Sequence, residues 1–289
     1  MSTPLQIGLV LFPRVTQLDF TGPLQVFSSL PGAKVHLIWK RIEPVPSDSV
    51  LMLTPTVTFA DCLQLDVICV PGGVGTDDMV NDEEMLDFLR RQAKGAKYVT
   101  SVCTGSLVLG AAGLLQGYKA TTHWSAMDHL APFGATPTKT RVCVDRNRVT
   151  GGGVTAGIDF ALTLVSLLVD RQTAEAIQLR LEYNPAPPFN AGSPDTAPPG
   201  VDESEDRAFP AAPRRGDRPR RRTARIGTTP LTVIASWDRW IRHRPALDES
   251  LRLDVGSMTP FLSDFLPRDN APHRHCELGP VDKAPTRLG

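Results

Sequence analysis

The chain has 289 residues, enough for one substantial α/β domain and an appended segment. Lys and Arg together number 31, as do Asp and Glu, so the net charge gives no reason to expect nucleic acid or an anionic membrane as a partner. The five cysteines are scattered and show no C-x-x-C spacing, which argues against a disulfide framework and against a structural zinc site.

The first predicted element is a buried strand. Residues 5–12 form a nearly continuous apolar run, typical of a strand covered on both faces, and Pro13 ends it. Pro23 is typical of the first turn of a helix, and the apolar residues after it follow helical spacing. Asp19 lies just before that predicted helix. A capping or turn role is the simpler interpretation of Asp19. The alternative is a functional carboxylate at the carboxyl end of the first strand, where open α/β sheets bind ligands.

The stretch 66–75 carries the next strong pattern. A buried strand runs directly into Pro71, Gly72 and Gly73, whose flexible backbone can point N–H groups at a ligand. No G-x-G-x-x-G motif opens a helix here, so the stretch is not the fingerprint of a dinucleotide site. An amphipathic helix is predicted over 81–93.

Cys103 lies where a predicted strand turns into a predicted helix. The β-branched residues before it suit a buried strand, and the small apolar residues from Thr104 onward indicate a helix. Such a turn lifts the side chain clear of the sheet, and a helix N-terminus lowers the pKa of a thiol beside it. The pattern favours a reactive Cys103 thiolate about as strongly as it favours a small buried hydrophobic residue.

The later part of the domain contains one more candidate side chain. Residues 121–124 are predicted to form a short strand that leads into a helix. Within it, His123 is a candidate base for the cysteine, although a loop or core histidine is at least as common. A hairpin is predicted over 140–150, followed by helices over 160–169 and 174–183.

The order of these elements predicts the fold class. It is α/β, a flavodoxin-like, doubly wound, mostly parallel sheet with helices on both faces, contained in a domain of residues 1–198. From Pro185 onward the composition becomes rich in proline, and 207–225 is rich in arginine. Such a sequence cannot bury enough apolar surface to offset its ordering entropy. We therefore predict that residues 199–289 form a poorly ordered C-terminal tail.

The chain resembles the PfpI-like superfamily, which has the class I glutamine amidotransferase-like fold. The resemblance extends from residue 5 to about residue 198. It rests on seven stretches that keep the family's order: 17–23, 70–73, 101–106, 120–124, 150–153, 155–159 and 178–185. Within the superfamily, the chain is most similar to the members that hydrate isonitriles. AraC-type regulators carry a similar domain.

The resemblance implies a reaction carried by three residues. Cys103 matches the family nucleophile, Asp19 its acidic partner, and Thr104 the hydroxyl that follows the nucleophile. Protease and deglycase branches often place a histidine directly after the cysteine, so Thr104 argues against a hydrolytic Cys-His pair. The implied reaction is hydration of an isonitrile to an N-substituted formamide, without a metal or an organic cofactor.

The resemblance also implies a binding site, an oligomeric state and a class of partner. Substrate contact or stabilisation of developing negative charge is expected of Gly72, Gly73, Val74, His123 and Trp124. A homodimer is expected, with a small-molecule isonitrile as substrate and with neither nucleic acid nor membrane as partner. No apolar run approaches the length of a bilayer span and the first residues lack a signal sequence, so we expect a cytoplasmic protein.

Three alternatives stay open at this point. The same domain can sense a ligand for a transcriptional regulator, but the prolines of 199–289 disfavour the helix-turn-helix units that such a regulator needs. A glyoxalase-like or chaperone-like stress protein can use the same elbow, and His123 keeps that possibility open. The arginine run can bind nucleic acid, but a solvated tail is the simpler interpretation.

Overall fold

The computed structural model of the protein describes residues 4–201. The strands in that range are β1 (Leu5–Val10), β2 (Ala33–Trp39), β3 (Val45–Pro46), β4 (Met52–Leu53), β5 (Val57–Thr58), β6 (Val67–Val70), β7 (Tyr98–Val102), β8 (Lys119–Ala120), β9 (Thr136–Pro137), β10 (Val142–Asp145) and β11 (Arg148–Gly151). The α-helices are α1 (Gln17–Ser28), α2 (Thr76–Met79), α3 (Glu83–Ala93), α4 (Gly105–Ala111), α5 (Ala156–Leu168) and α6 (Arg171–Arg180). Two 3-10 helices, Trp124–His129 and Ala131–Phe133, lie between β8 and β9.

Seven strands form the central sheet, in the order β10-β11-β7-β6-β1-β2-β5. Neighbouring strands are parallel except for β10 and β11, which form the predicted antiparallel hairpin. Val70 pairs with Ser101, and Val102 pairs with Gly151. The segments that follow β1, β6, β7 and β11 therefore meet at one edge of the sheet, because the carboxyl ends of parallel strands lie together.

The core is built from side chains that cover the two faces of this sheet. Phe27 of α1 meets Phe160 of α5 edge to face, with 6.3 Å between ring centroids. Phe88 of α3 stacks on Phe59, with 4.3 Å between centroids. Phe27, Phe88 and Phe160 are almost fully buried. The predicted mostly parallel, doubly wound sheet is confirmed, and it fixes where the candidate residues meet.

Helix α1 begins six residues earlier than predicted. Pro23 lies inside α1 instead of in its first turn, and Asp19 belongs to that first turn instead of preceding the helix. Pro23 cannot donate to the carbonyl of Asp19, four residues before it, and the helix continues past this one missing bond. The Gln17 N–H donates to Asp48 Oδ1 at 3.1 Å, so the helix N-terminus is capped from a separate segment. A local sequence pattern does not reveal such a cap.

The stretch around His123 also differs from the prediction. Strand β8 ends at Ala120, and a 3-10 helix begins at Trp124, so Thr121 and Thr122 connect the two instead of forming a strand. The backbone N–H of Thr121 donates to Thr150 Oγ1 at 2.9 Å, which fixes the connection against β11 without a strand ladder.

Within residues 4–201, no helix is long and apolar enough to cross a membrane. From residue 202 onward, the predicted tail (residues 199–289) lies outside the described range. Its disorder and the domain boundary at residue 198 therefore stay predictions.

Candidate active site

Cys103 occupies a sharp turn between β7 and α4. Its φ angle is +54°, in the left-handed region that side chains other than glycine rarely adopt. The Cys103 N–H donates to the Gly152 carbonyl at 2.8 Å, and its carbonyl accepts from Thr122 Oγ1 at 2.9 Å. These contacts hold the strained backbone from two sides. The Cys103 side chain is only 5% exposed, and it lies at the carboxyl edge of the sheet.

Gly105 allows α4 to start directly against the loop after β6. A Cβ atom at this position would lie 2.5 Å from the Pro71 carbonyl oxygen and closer still to that of Val70. Both neighbours are backbone atoms that cannot rotate away. The absence of a side chain at Gly105 therefore brings the Cys103 turn and the Gly72–Gly73 loop together.

We expect Gly105→Ala to destabilise the protein by about 2 kcal/mol or more, since overpacking against backbone costs more than the roughly 0.5–1 kcal/mol that alanine gains over glycine in a helix. Urea unfolding measures the change. Gly192→Ala is the matched control, because a Cβ there meets no atom within 4 Å and should change the free energy of unfolding by less than about 0.5 kcal/mol. Equal stability of the two variants would contradict the tight approach described above.

Asp19 is the buried carboxyl group of the site. Its side chain is fully buried, and Oδ2 accepts the Gly72 N–H at 2.8 Å. Within residues 4–201, Oδ1 has no hydrogen-bond partner. Burial raises the pKa of Asp19 to about 7, and the charge of Asp48 adds to the rise, although the Gly72 N–H and Cys103 act in the opposite direction. Asp19 can therefore both hold and release a proton near neutral pH.

The Cys103 thiol and Asp19 perturb each other. Burial raises the pKa of Cys103 well above its ordinary value, and the neighbouring Asp19 carboxylate raises it further. The N–H and hydroxyl of Thr104 lower the Cys103 pKa by a smaller amount. The lowered pKa that a helix N-terminus favours is therefore not found at Cys103, because burial and the adjacent carboxylate outweigh the helix. The pair loses its first proton from Asp19 and retains a thiol.

The glycine loop after β6 is already engaged with the candidate catalytic side chains. The Gly72 N–H donates to Asp19 Oδ2, and the Gly73 N–H donates to Thr104 Oγ1 at 3.0 Å. These two N–H groups are not available as the donors to developing negative charge that were expected there. In the described part of the chain, the Val74 N–H makes no such bond, and Val74 is only partly buried. The loop therefore positions Asp19 and Thr104.

His123 and Trp124 lie together next to the Gly151–Gly153 turn. His123 Nδ1 is 2.8 Å from Ser125 Oγ, and a Cβ added at Gly153 would lie 2.9 Å from the His123 ring. The His123 and Trp124 ring centroids are 5.5 Å apart. Both side chains are partly buried. The groups that act on the Cys103 pKa are those of Asp19 and Thr104.

Sequence reasoning missed two threonines that support the site. Thr122 donates to the Cys103 carbonyl, and Thr76 Oγ1 lies 2.7 Å from the Gly73 carbonyl and 3.2 Å from Thr104 Oγ1. Both are almost fully buried. Nothing in their local sequence signals these roles, because each acts on a residue from a different segment.

Within residues 4–201, no cluster of three or more His, Cys, Asp or Glu side chains is arranged to hold a metal ion.

The sequence profile of the DJ-1/PfpI family matches residues 6–167. The chain belongs to the DJ-1/PfpI family. The matched residues include the strands, the glycine loop and the cysteine turn described above.

Relatives in the DJ-1/PfpI family share much of the chain. An isonitrile hydratase of Pseudomonas putida is 59% identical over 223 residues, which cover 77% of this chain and 98% of that protein. The crystal structure of a ThiJ/PfpI family protein from Pseudomonas syringae superimposes with a TM-score of 0.69 at 51% identity, covering 70% of this chain and 84% of that one. The HTH-type transcriptional regulator GbdR of Pseudomonas aeruginosa is 32% identical over 190 residues, 62% of this chain and 51% of GbdR. The chain thus spans about half of that regulator.

Proposed function

We propose that this protein hydrates isonitriles to N-substituted formamides, with Cys103 as the nucleophile and Asp19 as the proton carrier. The observation that carries the proposal is the buried pair itself, a thiol beside a carboxyl group whose pKa is about 7. The similarity to the isonitrile hydratase of Pseudomonas putida supports the same chemistry. Neither proton transfer nor covalent addition in this scheme needs a metal or an organic cofactor.

The first step forms a covalent thioimidate. The Asp19 carboxylate accepts the Cys103 thiol proton as sulfur bonds to the terminal carbon of R–N≡C, and passes that proton to the same carbon. One S–H bond breaks, while one C–S and one C–H bond form. The product is R–N=CH–S–Cys103, and Asp19 is again a carboxylate. A carboxylate with an ordinary low pKa would be too weak a base to take the thiol proton.

The second step releases the formamide. Asp19 accepts a proton from water as the water oxygen bonds to the thioimidate carbon. Among residues 4–201, Asp19 Oδ1 has no hydrogen-bond partner, so this oxygen can accept a hydrogen bond from that water. One proton of the water ends on nitrogen and the other on sulfur as the C–S bond breaks. The products are R–NH–CHO and the Cys103 thiol, so atoms balance and no oxidant is needed.

The remaining candidate residues take supporting roles in this proposal. Thr104 acts on the sulfur, whose pKa it lowers, and we assign the stabilisation of developing negative charge to the Val74 N–H. His123 and Trp124 bound the substrate side of the turn. Residues 1–198 contain every group that the proposal uses, and 199–289 supplies none. We also propose a cytoplasmic homodimer that acts without nucleic acid or membrane.

Incubation of the purified protein with cyclohexyl isocyanide tests the proposal. N-cyclohexylformamide should form catalytically, and dialysis against a chelator should leave the rate unchanged. Mass spectrometry under rapid quenching should detect an adduct on the peptide containing Cys103 whose mass equals that of the added isonitrile. Absence of formamide over a series of alkyl and aryl isonitriles would reject the activity.

We expect His123→Ala to lower the hydration rate by less than about tenfold, because the carboxyl group and not the imidazole moves the protons. Steady-state rates of this variant and of Asp19→Asn provide the comparison. A larger loss in His123→Ala than in Asp19→Asn would favour a Cys-His mechanism and the glyoxalase-like alternative.

Ligand sensing is the second candidate function, because GbdR shares 32% identity over 190 residues. A sensor would bind an isonitrile or related small molecule without turning it over. Calorimetric binding of the substrate by the wild-type protein, without formamide formation, would favour this alternative over catalysis.

A further inference from the structure

The carbonyl group of Cys103 is held by two hydroxyl groups that the reaction scheme does not use. It accepts from Thr122 Oγ1 at 2.9 Å and from Ser106 Oγ at 3.2 Å, while the Ser106 N–H lies farther away, at 3.5 Å. Both hydroxyl side chains are buried, with Thr122 3% and Ser106 0% exposed. Each hydroxyl has a single proton, and within residues 4–201 the Cys103 carbonyl is the one acceptor that receives it.

The bonds on either side of the Cys103 Cα fix the direction of its side chain. The Cys103 N–H donates to the carbonyls of Gly152 and Gly151, at 2.8 and 3.1 Å. With that N–H held, a change in φ would rotate the carbonyl group and Cβ together, because both are bonded to Cα. The donors that hold the carbonyl therefore hold the sulfur as well. They act against a backbone strain, since φ is +54° and a side chain favours leaving the left-handed region.

Thr122 ties the turn to a separate part of the molecule, whereas Ser106 does not. Ser106 belongs to α4, which follows the turn directly and can move with Cys103. Thr122 is preceded by Thr121, whose N–H donates to Thr150 Oγ1 on β11 at 2.9 Å. The last residue of β11 also supplies one of the carbonyls that hold the Cys103 N–H. One strand therefore anchors the turn from both sides, and Thr122 is the link on the carbonyl side.

We propose that Thr122 is a positioning residue, whose hydroxyl locks the left-handed φ of Cys103 and thereby keeps the sulfur beside Asp19. The inference deepens the proposed hydration and rests on it. In that scheme the thiol proton of Cys103 passes to Asp19 and then to the substrate carbon, so the sulfur and the carboxyl group must stay adjacent. A φ angle in the ordinary range would carry the sulfur away from a carboxyl group that the Gly72 N–H holds in place.

Thr122→Val tests the inference, because valine keeps the shape of threonine and removes the hydroxyl. We expect kcat for hydration of cyclohexyl isocyanide to fall about tenfold with little change in KM, since the substrate still binds while the sulfur is misplaced. Thr122→Ala, which puts no methyl group against the carbonyl, should behave in the same way. Thr122→Ser keeps the hydroxyl and should restore most of the activity.

Thr100→Val is the matched control. Thr100 is similarly buried, and its hydroxyl also donates to a backbone carbonyl, that of Ile68 at 2.9 Å. The control therefore reports the cost of losing one buried hydroxyl-to-carbonyl bond at a carbonyl other than that of Cys103. We expect its kcat to remain within about twofold of the wild-type value.

The decisive readout is the crystal structure of each variant. In Thr122→Val, the φ angle of Cys103 should leave the left-handed region, and the distance from Cys103 Sγ to the nearer Asp19 carboxyl oxygen should increase. In Thr100→Val and in Thr122→Ser, both the angle and the distance should match those of the wild-type protein.

Two results would overturn the inference. One is a Thr122→Val crystal structure in which Cys103 keeps a φ angle near +54°. The other is a kcat of Thr122→Val equal to that of Thr100→Val. The crystal structures do not depend on turnover. Failure of the wild-type protein to hydrate any isonitrile would therefore reject the proposed function and leave the crystal structures to decide whether Thr122 locks the turn.

Discussion

Cys103→Ala is expected to lower isonitrile hydration by at least about a thousandfold, because no other group in the site can form the covalent intermediate. The fold should survive, since the thiol is small and the turn is held by backbone contacts from Gly152 and Thr122. Circular dichroism and thermal unfolding check the fold, and formamide formation measures the rate.

Cys143→Ser provides the control for loss of a buried thiol. Cys143 lies on β10 and is 6% exposed, close to the 5% of Cys103, but it is outside the turn. We expect its hydration rate to stay within a few-fold of the wild-type rate. If Cys103→Ala retained a tenth of wild-type turnover, covalent catalysis by Cys103 would be ruled out.

Asp19→Asn is expected to lower the hydration rate by roughly 10²–10⁴-fold, the range that general acid–base catalysis contributes. The amide keeps the shape of the side chain, and its oxygen can still accept the Gly72 N–H. What it loses is the ability to accept and return a proton.

In the wild-type protein, kcat/KM should rise as the pH rises through about 7, because Asp19 must first lose its own proton. A pH–rate profile without that rise would contradict the assignment.

The same substitution should make the protein more stable above neutral pH. The pKa of Asp19 is raised from its ordinary value to about 7 in the folded state, so folding favours the protonated form. This contribution is fully present below pH about 4 and is lost as the pH rises through about 7. At pH 8 the buried carboxylate costs roughly 2–4 kcal/mol, which Asp19→Asn should recover. Urea unfolding of the wild-type protein and of Asp19→Asn at pH 5 and pH 8 measures this difference in the free energy of unfolding. Equal stability differences at the two pH values would contradict the raised pKa.

Much of the fold follows from local sequence. The apolar run of β1, the strand that ends at Val70 and the hairpin of β10 and β11 all lie close to where their patterns predict them. The pattern that predicts each of these elements lies within its own segment. The position of Cys103 between β7 and α4 is equally local, and the structure shows the expected turn there, with a left-handed φ angle that the sequence did not predict.

The predictions that failed depend on contacts between segments. The start of α1 depends on Asp48, which caps Gln17 from 31 residues away. The pKa of Cys103 depends on Asp19, which belongs to another strand-helix unit, and on the depth of burial. The engagement of the Gly72 and Gly73 N–H groups depends on Asp19 and Thr104. A sequence pattern shows which residue types are present, but it does not show which partners they meet.

The protonated resting state of Cys103 has a consequence for chemical selectivity. A nucleophile stored as a thiol reacts poorly with peroxides and with common alkylating agents, which require a thiolate. The terminal carbon of an isonitrile accepts both the sulfur and its proton. We therefore expect the buried Asp19–Cys103 pair to favour electrophiles whose carbon atom accepts both the sulfur and a proton.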